Sequence, residues 1–338
     1  MKSPIFRKVL IIQTAFLGDV VLATVIIEKL KQHYPDASID FMVRRGNEGL
    51  LQEHPLLRQV LVLDKKPNKY QLLWQMIRRI RRERYDTVIN VQRFFTTGLL
   101  TWLSGATFKI GFDKNPLARF FNHRAKHSIT EGQHEVDRNL SLISPWTDSV
   151  RIRPALYPQP ADYAAVQVWQ QRPYLCIAPT SVWFTKQFPE NQWIKFIQAL
   201  PQGWQVYLLG APQDFEACEN LCRQAPQGSS VTNLAGKLNL LQSAALVARA
   251  AMNFVNDSAP MHIASAMNAP TCAIFCSTIP AFGFGPLAEK SFLVQPPQPL
   301  VCRPCGLHGK SQCPLGHFNC AHSIHTNQLL EVLPELSA

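Results

Sequence analysis

A chain of 338 residues, 46% hydrophobic and only 17% charged, has enough apolar material for two ordinary cores, so two domains are expected. Lys and Arg total 34 against 23 Asp and Glu, giving a formal net charge of +11 and a pI near 9.3, which favours an anionic partner without choosing among nucleic acid, phosphorylated lipid and nucleotide. The opening residues MKSPIFRKVL lack an apolar signal core, and no apolar run reaches the roughly 18 residues of a membrane span, so a soluble cytoplasmic chain is expected. In such a chain cysteines read as reduced thiols, metal ligands or core residues, not as a disulfide framework.

In chain order, VLIIQ (9–13) is a buried strand that turns through Gly18 into Asp19 before a second apolar, helix-length segment. SIDFMV (38–43), QVLVLD (59–64) and YDTVINVQ (85–92) read as further buried strands, with helical patterns between several of them. Alternation of this kind predicts a parallel α/β sheet. The densest charge run, MIRRIRRERY, carries Arg78, Arg79, Arg81, Arg82 and Arg84; its plain reading is a solvated helix face, the other a peripheral contact with an anionic membrane surface or acceptor. Prolines 154, 158 and 160 crowd SVRIRPALYPQPADY, after which the alternation restarts with YLCIAP (174–179), QVYLLG (205–210), MNFVND (252–257) and TCAIFCS (271–277). The expected division is 1–155, a connection at 156–173, a second α/β domain at 174–324, and a C-terminal helix at 325–338 that packs back on the first domain.

Two nucleotide motifs fail. QTAFLGD has one glycine where a dinucleotide-binding turn needs three, and GKS at 309–311 has Pro304 where a P-loop needs its first glycine. What remains is a set of polar residues placed just after strands, where open parallel sheets bind ligands. Thr180 and Ser181 follow a strand with Lys186 a few residues on, a combination that suits phosphate. Asp257 and Ser258 end a strand and Ala259 and Pro260 begin a helix whose positive dipole end would attract a pyrophosphate, with His262 one turn in. His262 reads either as a contact to phosphate or sugar hydroxyl or as a structural histidine.

These segments together resemble glycosyltransferase family 9, the ADP-heptose:lipopolysaccharide heptosyltransferases, particularly the heptosyltransferase II type. The resemblance runs nearly end to end, through LGDVVLAT, WLSGATFKIGF (102–112), HEVDRNLSLI (134–143), the Thr180 to Pro189 segment, LLGAPQDFE (208–216), NDSAPMHIASA (256–266) and a C-terminal cysteine block. It implies a GT-B architecture, two Rossmann-like domains facing across a cleft, with the ADP-sugar held by the second and a lipid A inner-core acceptor by the first. It further implies inverting, metal-independent transfer of heptose with Asp19 as general base, Gly18 easing its approach, and no required cofactor. The plain alternative for Asp19 is a helix cap. By the same resemblance Glu216, near Asp214, contacts the donor ribose or sugar hydroxyls; its plain alternative is a surface helix carboxylate. Family members read Asp-Ser-Gly where this chain has Asp257-Ser258-Ala259; alanine is costly there only if the backbone needs a positive φ.

The cysteine block spaces Cys302, Cys305, Cys313 and Cys320 with His308, His317 and His322 nearby, which leaves structural zinc and reduced thiols both open. Arg44, Arg45 and Arg93 are candidates for acidic groups of the acceptor, or ordinary surface arginines. A monomer with no nucleic-acid partner is expected. Two other readings remain: the same fold with a different nucleotide-sugar donor, and a zinc-stabilised basic nucleic-acid-binding protein, which no helix-turn-helix, finger spacing or ribonucleoprotein motif supports.

Overall fold

The computed structural model of the protein describes residues 3–64, 69–129 and 132–335, and the chain divides into two compact units at Tyr157 and Pro158. The first unit carries β1 (Lys8–Ile12), α1 (Leu17–His33), β2 (Ser38–Arg44), β3 (Gln59–Leu63), α2 (Lys69–Glu83), β4 (Thr87–Asn90), α3 (Phe95–Trp102), β5 (Phe108–Phe112), β6 (His123–Ala125) and α4 (Glu135–Ser141). Its six strands are all parallel, in the order β3-β2-β1-β4-β5-β6. The central runs VLII and TVIN are buried on both faces, which is why they read as unbroken apolar stretches. Leu10, Ile12, Met42 and Val88 pack on Ile77 and Ile80 of α2 and Leu100 of α3. Helix α1 is buried along most of its length and packs against α4, where Asn139 Nδ2 donates to Leu22 O at 3.2 Å.

The second unit carries α5 (Pro160–Val166), β7 (Tyr174–Ala178), α6 (Glu190–Ala199), β8 (Gln205–Leu208), α7 (Phe215–Arg223), β9 (Ser230–Asn233), α8 (Leu240–Ala248), β10 (Met252–Asn256), α9 (Ala259–Ala266), β11 (Thr271–Ile274), β12 (Ser291–Val294), α10 (Asn319–His322) and α11 (Thr326–Leu330). Its strand order, β12-β11-β10-β7-β8-β9, is the same doubly wound pattern, again all parallel. Chain order reverses between β1 and β4 in one unit and between β7 and β10 in the other. The open crevice for a ligand lies at the carboxyl ends of those strands.

Two segments differ from expectation. The stretch 156–173 holds α5, because Pro160 at its first turn presets φ and Asp162 accepts from Gln159 N–H at 2.9 Å, and α5 packs on α8 of the second unit. Helix α11 packs on α6, with Leu329 buried in the second unit's core, and residues 336–338 of that expected segment lie outside the described ones. No described helix is long and apolar enough to cross a membrane.

Candidate functional site

Asn256, the last residue of β10, organises the crevice of the second unit. Its Nδ2 donates to Ala178 O at 3.3 Å and Pro179 O at 2.9 Å, and its Oδ1 accepts from Phe188 N–H at 2.9 Å, so one buried amide fixes both ends of the loop that carries Thr180, Ser181 and Lys186. Lys186 ends a short 3-10 turn and places Nζ 2.7 Å from Asp257 Oδ2; its side chain is 15% exposed and that of Asp257 6%. Thr278 Oγ1 donates to the same oxygen at 2.6 Å. The ammonium is thus tethered by one carboxylate oxygen and keeps further N–H donors for an incoming anion.

Ser258 is the N-cap of α9 in extended backbone, and Ala259 stands at the first helical position. Ala259 is not among the positive-φ residues, so its methyl carries no backbone cost. The helix start offers fewer backbone donors than its length suggests: Pro260 has no N–H, and Met261 N–H donates to Ser258 O at 3.1 Å. His262, buried one turn in, meets the Phe284 ring edge-on with centroids 6.4 Å apart. Thr180, Ser181, Lys186, Asp257, Ser258, Ala259 and His262 therefore lie on the two loops and one helix that border the β7/β10 crevice. Glu216 does not join them. It sits in the first turn of α7 after β8, one strand over, 81% exposed and 3.9 Å from Arg223, while Asp214 is used as a local cap, accepting from Ala211 N–H at 2.7 Å.

The cysteine block serves this loop. Thr185, fully buried beside Lys186, donates its N–H to Lys310 O at 3.1 Å and accepts from Lys310 N–H at 2.8 Å and Ser277 Oγ at 3.0 Å. Cys305 N–H donates to Ser277 O at 2.9 Å, and the Arg303 guanidinium donates to Phe275 O, Cys276 O and Thr278 O. All nine cysteines are unbridged. Burial, then the charges of Cys305, Cys302 and Cys313, pushes the Cys320 thiol up to about 12, and among the described residues no three His, Cys, Asp or Glu side chains are arranged to hold a metal ion. The backbone contacts of Lys310, Cys305 and Arg303 give the segment a buttressing part.

In the first unit, Asp19 occupies the third position of α1, half-exposed, and its Oδ2 accepts from Phe16 N–H at 3.1 Å. That is half of a capping box, since Phe16 has no side-chain oxygen to complete it. Gly18 is buried in the same turn without a left-handed φ. Two groups of α4 escaped sequence reasoning, Glu135 and Arg138, whose Nε donates to Glu135 Oε2 at 2.6 Å, and Asp19 acts electrostatically on Glu135. The signal for them was their place inside or beside the polar motif HEVDRNL. Burial, then the charges of Arg93 and Arg138, holds His127 down to about 4, so its imidazole is neutral at pH 7. Of the three arginines singled out, Arg93 is exposed and acts electrostatically on His127 and Glu135, Arg44 lies 4.9 Å from the centroid of the Phe16 ring, and Arg45 pairs with Asp64 at 2.6 Å.

His54 is likewise held down to about 4 by burial. Unfolded histidines take up a proton near pH 6.5. The stability that neutral His54 and His127 supply is therefore complete above about pH 6.5 and is lost as pH falls toward 4. Burial raises Glu28 and Glu135, which works in the opposite direction. Thermal melts across pH 8 to 4 are expected to be flat at first and then fall, more shallowly in His127→Gln; a melt independent of pH down to 4.5 contradicts the two neutral histidines.

Residues 73–308 match glycosyltransferase family 9 (heptosyltransferase). The chain is 30% identical over 279 residues to "Lipopolysaccharide heptosyltransferase 3" of Escherichia coli, covering 78% of this chain and 82% of that protein. Among solved structures, E. coli ADP-heptose lps heptosyltransferase II superposes with TM-score 0.80 at 22% identity, over 96% of this chain and 97% of that one. E. coli heptosyltransferase WaaC with ADP does so with TM-score 0.73 at 20% identity, over 96% and 98%. At these identities the superpositions speak for the fold, which is that of the GT-B heptosyltransferases.

Proposed function

Because the chain belongs to glycosyltransferase family 9 and is a sugar-transferring enzyme of the heptosyltransferase kind, we propose that it moves L-glycero-D-manno-heptose from ADP-heptose to the inner core of lipopolysaccharide, inverting the anomeric centre. The observation that carries this reading is the tethered Lys186 ammonium beside Thr180, Ser181 and the start of α9 at the β7/β10 crevice. A pyrophosphate there is met by one held cation, hydroxyls and a helix dipole, so that charge developing on the leaving group is stabilised without a metal in the reacting step. His262 serves the phosphates or donor sugar from the same helix. Glu216 needs a shift of its exposed side chain to reach the donor, and its assignment to ribose or sugar hydroxyls rests on the resemblance alone.

In the transfer, the bond from the anomeric carbon to the phosphate oxygen breaks and its electron pair leaves with ADP. An acceptor hydroxyl oxygen bonds to the opposite face of that carbon, and its proton passes to the Asp19 carboxylate. The oxocarbenium-like transition state makes that hydroxyl acidic only as its bond forms, so a modest base suffices. The enzyme acts as a monomer at the cytoplasmic face of the inner membrane. Helix α2 supports the membrane contact, presenting Tyr70, Trp74, Arg78 and Arg82 along one exposed stripe, aromatic rings and cations suited to an anionic bilayer surface. No nucleic acid is bound.

Calorimetric titration with ADP and with a short DNA duplex tests the reading: ADP is expected to bind and the duplex not to, whereas salt-dependent duplex binding without ADP binding overturns it. Lys186→Ala is expected to weaken ADP about 10- to 100-fold, a loss of roughly 1.5 to 3 kcal/mol for a charge-assisted contact. It should also melt earlier, since Asp257 is left buried without its cation. Adding Asp257→Asn should restore stability and leave ADP affinity low; ADP affinity unchanged in both variants removes Lys186 from the site.

A further inference from the structure

Helix α3 is inverted for a helix that meets water. Its buried side is Thr97, Gly98, Leu100 and Thr101, and its outer side carries Phe95, the partly exposed Leu99 and Trp102, an apolar stripe at i, i+4 and i+7. Phe95 is 57% exposed and Trp102 40%. The inner hydroxyls are satisfied within the helix, Thr97 Oγ1 donating to Phe94 O at 3.0 Å and Thr101 Oγ1 to Thr97 O at 2.8 Å, and Gly98 lies so close to Asn115 that a side chain there would clash. The packing thus fixes which side faces out. At the other end of the stripe Phe94, the N-cap of α3, is 65% exposed, and Asn115 Nδ2 holds its turn by donating to Gln92 O at 3.1 Å and Phe94 O at 3.2 Å.

Helices α2 and α3 lie on one face of the first sheet. The steps β3 to β4 and β4 to β5 run in the same direction across it, so right-handed crossovers put both helices on the same side, where Ile77, Ile80 and Leu100 share a core. Cations frame the rings. Phe120 stacks on Trp102 with centroids 4.1 Å apart, Arg119 lies 4.8 Å from the Phe120 centroid, and the Arg81 stem comes within 3.8 Å of where a side chain on Gly105, three residues past Trp102, would begin. Tyr70, Trp74, Arg78 and Arg82 continue the face along α2. Helix α3 carries no charged residue, and the one carboxylate of α2, Glu83, is held by Lys8 and Arg58.

We propose that this face inserts into an anionic bilayer: Phe95, Leu99 and Trp102 of α3 enter the boundary between headgroups and acyl chains, while Arg78, Arg81, Arg82 and Arg119 meet lipid phosphates. Charge complementarity selects the occupant, because a second copy would set the same arginines against each other, whereas an anionic bilayer offers hydrocarbon to the rings and phosphates to the cations. Arginines alone give adsorption that salt removes; inserted rings add a hold that salt does not. The face begins with Phe94 just past the carboxyl end of β4, beside the β1/β4 crevice, so an acceptor anchored in that bilayer reaches the crevice from the same surface. The inference deepens and rests on the reading of a membrane-borne acceptor, with α2 supplying charge and α3 the insertion.

The test uses the whole chain with vesicles of phosphatidylglycerol and phosphatidylethanolamine, and pure phosphatidylcholine as the neutral control. Wild type is expected to sediment with the anionic vesicles, to keep a bound fraction at about 0.5 M salt, and to have its tryptophan emission quenched by acyl-chain bromines placed near the headgroups. Phe95→Ser with Trp102→Ser should bind about 10- to 100-fold more weakly and lose the salt-resistant fraction, with turnover of a deacylated, water-soluble acceptor unchanged. Equal vesicle binding by wild type and this double variant overturns the proposal, as does concentration-dependent dimerisation without vesicle binding. Trp102→Ser also removes the ring that Phe120 stacks on, so the second readout uses wild type alone: bound protein whose emission the bromines leave untouched overturns insertion. Vesicle binding is read without turnover, so its failure is distinct from a failure of heptose transfer.

Discussion

Asp19→Asn is expected to lower kcat by roughly 10²- to 10⁴-fold while affinity for ADP stays within a few fold. The expectation follows from where the residue sits. Asp19 stands in the third position of α1, and its Oδ2 accepts from Phe16 N–H. An asparagine amide oxygen can accept the same hydrogen bond, so stability should change by no more than about 1 kcal/mol. What the amide cannot do is hold the acceptor's proton. The groups assigned to the pyrophosphate belong to another sheet, which is why ADP affinity should be spared. The acid limb of the wild-type profile should be lost or displaced in the variant. A variant that turns over normally but melts markedly earlier marks Asp19 as a helix cap and sends the search for the base elsewhere.

Asp40→Ala is expected to be the most destabilising single change in the first unit, by about 2 to 4 kcal/mol, or roughly 4 to 16 °C in the transition of that unit. Asp40 lies on β2 with no exposed surface, and its carboxylate accepts from Arg58 Nε at 2.9 Å, from Gln59 Nε2 at 2.9 Å and from the buried Tyr85 hydroxyl. Arg58 continues to Glu83, which also holds Lys8 at 2.7 Å. Alanine leaves the tyrosine hydroxyl buried without an acceptor and removes the charge that Arg58 faces. Arg58 is itself 39% exposed and water can compensate it, which keeps the expected loss below that of a fully buried pair. Asp40→Asn, which preserves shape and one acceptor, should lose less than half as much. Denaturation followed by a first-unit probe such as Trp146 checks both, and equal stability of wild type and Asp40→Ala contradicts the network's role.

The strands that were legible beforehand are the ones buried on both faces. YLCIA, MNFVN and TCAI in the second sheet and VLII and TVIN in the first stand out because both faces demand apolar side chains. Strands β6, β9 and β12 gave no such signal: HRA, SVTN and SFLV are short and lie at or beside sheet edges, where half-buried and polar residues suffice. The helix α5 was hidden by prolines, which read as a connection although Pro160 at a first helical turn is favourable. At the site, residues placed just after strands were legible because a doubly wound sheet presents its ligands there. What sequence could not supply was pairing. The contact of Lys186 with Asp257 and the Asn256 hub each join residues far apart in the chain, and only the packed sheet brings them together.

Turnover measures the donor and the bond it surrenders most directly. Purified enzyme should be given a panel of ADP-, GDP- and UDP-sugars with a lipid A core acceptor, with and without a metal chelator, and the product linkage read by NMR. Heptose transfer from ADP-heptose alone, with release of ADP, inverted anomeric configuration and no loss in the chelator, is the expected result; silence with ADP-heptose beside turnover of a GDP- or UDP-sugar contradicts it.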